Sequence, residues 1–169
     1  MPPISMHRAS VPVLARALRN LEAVLHKGEA HATARGIDPA VLLNYRLAPD
    51  MFPLTRQVQI ATDIAKGGVA RLAGADVPSY ADDETTFPQL HARLQKTVAF
   101  IEGFQPAQID GSEARAVVLK MRSGELRFEG LPYLLEFVLP NVYFHSTAAY
   151  AILRHCGVDV GKNDFLGAR

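Results

Sequence analysis

His145 is the residue whose type and position offer most chemistry. It lies in the stretch 139–157, which reads as a helix of about four turns, with Pro140 in its first turn and Gly157 just past its end. At helical spacing Asn141, His145, Ala148, Ala149 and Ile152 fall on one face. The alanines let a neighbouring helix come close, so the imidazole is aimed into the interior. An inward histidine can be a metal ligand, a general base in a bundle core, or a core-edge group hydrogen-bonded to the next helix. Spacing alone leaves the three open.

A metal would need three or four donors converging on one point. The helical neighbours of His145 are Asn141, Val142, Ala148 and Ala149, and of these only Asn141 is polar. His155 lies roughly 15 Å farther along the axis, beyond reach of the same ion, and suits a cation near a helix C-terminus. His7, His26, His31 and His91 are scattered, and His26 and His31 do not share a face. His91, beside the apolar stripe of the third long helix, reaches His145 only if those helices are neighbours. On the second long helix Gln57 falls within the inner arc and Gln59 outside it. A buried Gln57 needs a partner, and His145 is a candidate.

Three other features carry less. Gly157 to Asn163 resembles a phosphate-binding loop, but it is one residue short, has Asn where a magnesium-binding Ser or Thr is needed, and follows a helix. Ser146 beside His145 is no hydrolase pair, because adjacent helical residues point about 100° apart. Cys156 has no activating base nearby and reads as a partly buried structural thiol.

The elements that must position these residues follow from periodicity. Residues 5–34 form a first helix with Val11, Leu14, Leu18, Leu21 and Leu25 as its stripe and Pro12 marking its first turn or a kink. Asp38-Pro39 starts a short turn over 40–44. A second long helix begins at 51–53 and runs to Leu72, where Gly67-Gly68 implies close packing or a bend. Residues 74–85 read as an exposed loop. Thr86 caps a third helix with Pro88 in its first turn and Phe87, Leu90, Leu94, Val98, Ile101 and Phe104 inside. The period then falls to two, and Ser123-Gly124 reads as a hairpin turn setting Leu119 opposite Phe128, Met121 opposite Leu126 and Arg122 beside Glu125, with Lys120 in mild conflict with Arg127. Residues 131–138 are helical and lead into the last helix. Phe165-Leu166 anchors a polar tail. The expected fold is all-α: one domain, 1–169, a four-helix bundle with a small β-hairpin before the last helix and room for a crossover connection.

Composition narrows the classes. A chain of 169 residues, 49% hydrophobic, builds one ordinary core. A net charge of +1 with scattered basic residues argues against nucleic acid. One cysteine rules out an internal disulfide or a thiolate cluster. No signal peptide and no run of about 18 apolar residues is visible, so no membrane partner and a cytoplasmic location are expected.

Four stretches carry a resemblance: Arg46 to Leu54, Glu84 to Phe87, Asn141 to Tyr150 and Gly161 to Gly167. Through them nearly the whole chain resembles the DinB/YfiT-like superfamily, and within it an uncharacterised bacterial family, a domain of unknown function. The resemblance implies a four-helix bundle with a long crossover. Better-known members hold a divalent metal on three histidines, one from the second helix and two that lie four apart on the last, and some are thiol-dependent transferases or isomerases. Matched residue by residue, the first of the last-helix pair is His145 and the second falls on Ala149. The second-helix ligand falls within 52–63, which has no histidine, with Gln57 or Gln59 nearest. One of three ligands remains, so no tightly bound metal is expected there. The resemblance also implies a homodimer, and Met6, Val13, Ala17 and Val24 widen the apolar face of the first helix as an interface would.

Two functions follow. The first is a bundle with a degenerate metal site that binds a small molecule or partner in an inter-helix pocket near His145, with Gln57, Asn141 and His91. The second is a metal- or thiol-dependent transferase or isomerase that uses His145.

Overall fold

The computed structural model describes residues 4–121 and 124–167, without the side chain of Met121. Helix α1 (Met6–Arg35) starts at Ser5, whose hydroxyl accepts from the Arg8 N–H, and ends at Gly36 in the left-handed region. It runs through Pro12 without ending. After α2 (Pro39–Leu43), capped by Asp38, come α3 (Leu54–Ala73) and α4 (Phe87–Glu102). Thr86 and Gln89 form a reciprocal capping box at the start of α4. A short α5 (Pro106–Ile109) follows. Strands β1 (Ala116–Met121) and β2 (Gly124–Glu129) pair antiparallel. The turn α6 (Gly130–Pro132), a π-helical turn (Tyr133–Val138) and α7 (Leu139–His155) are continuous, and α8 (Lys162–Leu166) ends the chain's regular structure. The wide turn, in which the Leu139 N–H bonds the Leu134 carbonyl, lies just before Pro140, which has no N–H to give.

The four long helices enclose one core, to which α1 contributes Leu14, Leu18 and Leu25, α3 Leu54, Val58 and Leu72, α4 Phe87, Leu90 and Leu94, and α7 Val142, Ala149 and Ile152. Around the bundle the neighbours run α1–α4–α3–α7. Contacts set the directions. Glu29 meets His91 while Arg19 meets Glu102, so α4 is antiparallel to α1. Asp82 and Glu84, just before α4, reach Arg56 and Gln59 in the first two turns of α3, so those two helices start at the same end and run parallel, and residues 74–86 are the long crossover. A Cβ on Gly68 would lie 2.7 Å from the Val138 Cγ1, so that glycine marks close packing of α3 against the π-helical turn.

One expectation is corrected. The hairpin register is two residues away: Leu119 faces Leu126, Val117 faces Phe128, and Lys120 pairs with Glu125 rather than opposing Arg127. The expected turn falls partly on Arg122 and Ser123, outside the described residues. The crossover is a largely exposed loop, as expected, and ion pairs from Arg56 and Arg93 to Asp82 and Glu84 strap it down. Of the apolar residues that widen the α1 face, Met6 and Val24 are buried within the chain, while Val13 and Ala17 are half-buried and line a pocket between α1, α7 and α8. Phe165 and Leu166 do anchor the tail on α1, their carbonyls accepting from Asn20 and Arg16.

Candidate functional site

α7 presents His145 to α3, where its Nδ1 lies 2.7 Å from the Gln57 Oε1. The Gln57 amide is itself oriented, because its Nε2 donates to the Phe52 carbonyl at 2.9 Å. An oxygen therefore faces the imidazole, and Nδ1 must carry the proton. This leaves the Nε2 lone pair without a hydrogen-bond partner among the described residues. His145 is 9% exposed. Burial first, and the Arg56 guanidinium second, hold its pKa below the ordinary histidine range, which favours the neutral ring.

The other residues picked from sequence are dispersed. Asn141 is half-buried and donates to the Phe137 carbonyl on its own helix. His91 is buried on α4, diagonal to α7, and does not meet His145. Its Nε2 lies 3.2 Å from the Glu29 Oε2 and its ring stacks on His26, so it belongs to the α1–α4 seam. Cys156 is a half-buried free thiol raised by burial, and His155 is exposed beside Tyr45.

Sequence reasoning missed Arg93. Its buried guanidinium binds Glu84, Asp63, Asp82 and the Thr62 hydroxyl. Burial alone would raise Asp82 and Glu84. Hydrogen bonds from Arg56 and Arg93 to Asp82, and from Arg93 and Gln59 to Glu84, outweigh it and hold both below the usual carboxylate range. Tyr80 lies under Lys66, whose Nζ is 3.6 Å from the ring centroid. The available signal was a charged residue beside the apolar stripe of α4, preceded by Asp82 and Glu84.

A cavity of about 450 Å³ opens on the other side of α7, between α1 and α8. Val13, Ala17, Leu21 and Phe165 make it apolar, and Arg16, Asn20 and Ser146 bring polar groups. The Ser146 hydroxyl is buried with no hydrogen-bond partner among the described residues. Adjacent positions on α7 thus serve different neighbours: His145 binds α3 while Ser146 lines the cavity against α1.

The superfamily's metal position can be judged from its donors. Ala149 is fully buried and offers none, and the Gln57 amide oxygen already accepts from His145. One imidazole and one engaged amide do not fit zinc, which takes at least three strong protein donors.

A bundle with a long crossover, whose last helix sets a histidine against the second long helix, is a DinB-like architecture. The family described as "Domain of unknown function (DUF1993)" matches residues 6–166, and the chain belongs to it. A crystal structure of a DinB family member protein from Shewanella denitrificans is 42% identical, covers 96% of this chain and 92% of its own, and superposes with a TM-score of 0.88. A search of curated proteins found no match. Among the described residues no helix is long and apolar enough to cross a membrane.

Proposed function

We propose that this protein binds a small, largely apolar molecule carrying an acidic group in the cavity between α1, α7 and α8, and that it holds no zinc at the superfamily's metal position. The cavity's lining carries the reading. Its volume of about 450 Å³ falls within the roughly 300–1,000 Å³ of small-molecule sites. Among the described residues the lining includes one cation, Arg16, and no carboxylate. The unpartnered Ser146 hydroxyl is a hydrogen-bonding group that a ligand can satisfy. Thermal-shift and native mass-spectrometric screening of alkyl and aryl carboxylates beside their amides tests this. The acids should stabilise the protein and the amides should not, and Arg16→Gln should remove the difference. Equal response to both, or none, would refute the reading.

A second reading rests on the oriented His145. A neutral imidazole with its proton fixed on Nδ1 and a free Nε2 is equipped to act as a general base. A thiol-transfer activity abolished by His145→Ala and indifferent to Arg16→Gln would favour it. As the resemblance implies, the protein is taken to pair with a second copy; a monomer mass in light scattering would remove that part.

A further inference from the structure

We infer that the seam between α1 and α4 binds a divalent transition-metal ion on Glu22, His26 and His91, with Glu29 beside them. This goes beyond the cavity reading and shares no residue with it. Glu22, His26 and Glu29 recur at i, i+4 and i+7, so one strip of α1 supplies all three. α4 supplies His91 from across the seam. One ligand atom each from Glu22, His26 and His91 lies within 4.8 Å of the other two. The Glu29 Oε2 is 3.2 Å from the His91 Nε2 and 4.0 Å from the His26 Nδ1.

The state of His91 is an independent pointer. The residue is 6% exposed, and its Nδ1 is buried without a hydrogen-bond partner among the described residues. A histidine kept only to fill the seam would be expected to have both nitrogens satisfied. Against it, at a centroid distance of 3.7 Å and an interplanar angle of 13°, stacks a second imidazole. Two histidines in face-to-face contact between two carboxylates make a donor set rather than a packing solution.

The donors select the ion. Two imidazoles and a carboxylate suit zinc or cobalt, whereas magnesium and calcium prefer all-oxygen sites. Glu22 and Glu29 together balance a doubly charged ion. A tetrahedral ion with bonds of about 2.0–2.1 Å needs its donors roughly 3.3 Å apart. The Glu22 Oε1 to His26 Nε2 separation is 3.9 Å, so the cluster must contract. Stacked rings also direct their lone pairs side by side, so one ring must turn. His26, with its side chain 57% exposed, is free to do so, and buried His91 is the fixed point. Three protein donors with a solvent-facing side leave a coordination position for water.

The test uses tag-free protein stripped with chelator and titrated with Zn²⁺ by calorimetry and with Co²⁺ by visible absorption. One equivalent should bind, with cobalt bands that zinc displaces. His26→Ala and Glu22→Gln should each weaken binding by about tenfold or more. His91→Ala risks the fold because the residue is buried, so the exposed His26 carries the test, with circular dichroism confirming that the variant is folded. His145→Ala should leave the affinity unchanged. Absence of saturable uptake by the wild-type protein, or uptake indifferent to His26→Ala, overturns the assignment. Uptake abolished by His145→Ala also overturns it, by moving the ion to the superfamily position.

Discussion

Nδ1 of His145 sits 2.7 Å from Oε1 of Gln57, and the Phe52 carbonyl holds the other end of that amide at 2.9 Å. A backbone carbonyl can only accept, so it fixes the amide, and the amide fixes the tautomer. Replacing Gln57 with leucine keeps the volume but leaves a buried N–H without a partner. The expected loss is about 1–3 kcal/mol, read as a lower urea midpoint. Gln57→Glu sets a carboxylate beside the ring and favours the imidazolium. The His145 titration followed by NMR should then move upward from its depressed wild-type position. An unmoved titration would mean that the two side chains do not meet.

Ala149 is fully buried on α7. Ala149→Leu adds three carbons where the bundle core has no room, and should destabilise by roughly 1–3 kcal/mol. An unchanged urea midpoint would place this position outside the core.

The long helices were legible because each carries a stripe such as Leu14, Leu18, Leu21 and Leu25 that only an α-helix puts on one side. The inward placement of His145 was legible for the same reason. The hairpin register was not, because a slip of two residues keeps every side chain on its face and leaves the apolar pattern intact. What separates the two registers is charge, with Lys120 opposite Glu125 in one and opposite Arg127 in the other. The separation of His91 from His145 depends on the order of helices around the bundle, which periodicity does not encode. The seam cluster was missed because His26 was compared with His31, whereas its helical companions are Glu22 and Glu29.

The crossover should loosen in acid. Asp82 and Glu84 have pKa values held below their ordinary range in the fold, so the unfolded chain takes up protons first as pH falls. Their contribution to stability is complete above the unfolded carboxylate range, about pH 4, and is lost as pH falls through the depressed folded values. Melting temperature should therefore fall below about pH 4, with hydrogen exchange rising first in residues 74–86. Glu84→Gln should lower the neutral-pH midpoint and flatten this dependence. An equally steep acid profile in that variant would show that the strap does not carry it.

Ser146→Ala should have opposite effects on stability and on binding. In the free protein the Ser146 hydroxyl is buried with no partner among the described residues, and such a group is worth about 1–3 kcal/mol of desolvation. Alanine removes the hydroxyl, keeps the helix and adds no volume. The ligand-free variant should therefore melt at the wild-type temperature or above it. If the hydroxyl serves a ligand in the α1–α7–α8 cavity, the variant should bind an apolar carboxylate more weakly, by about the factor of ten that 1.4 kcal/mol represents. A merely structural serine would give the reverse: lower stability on removal and unchanged affinity. Calorimetric titration and urea unfolding of the same two proteins separate these cases. A destabilised Ser146→Ala with full affinity would remove the hydroxyl from the site and leave Arg16 as the cavity's recognition group.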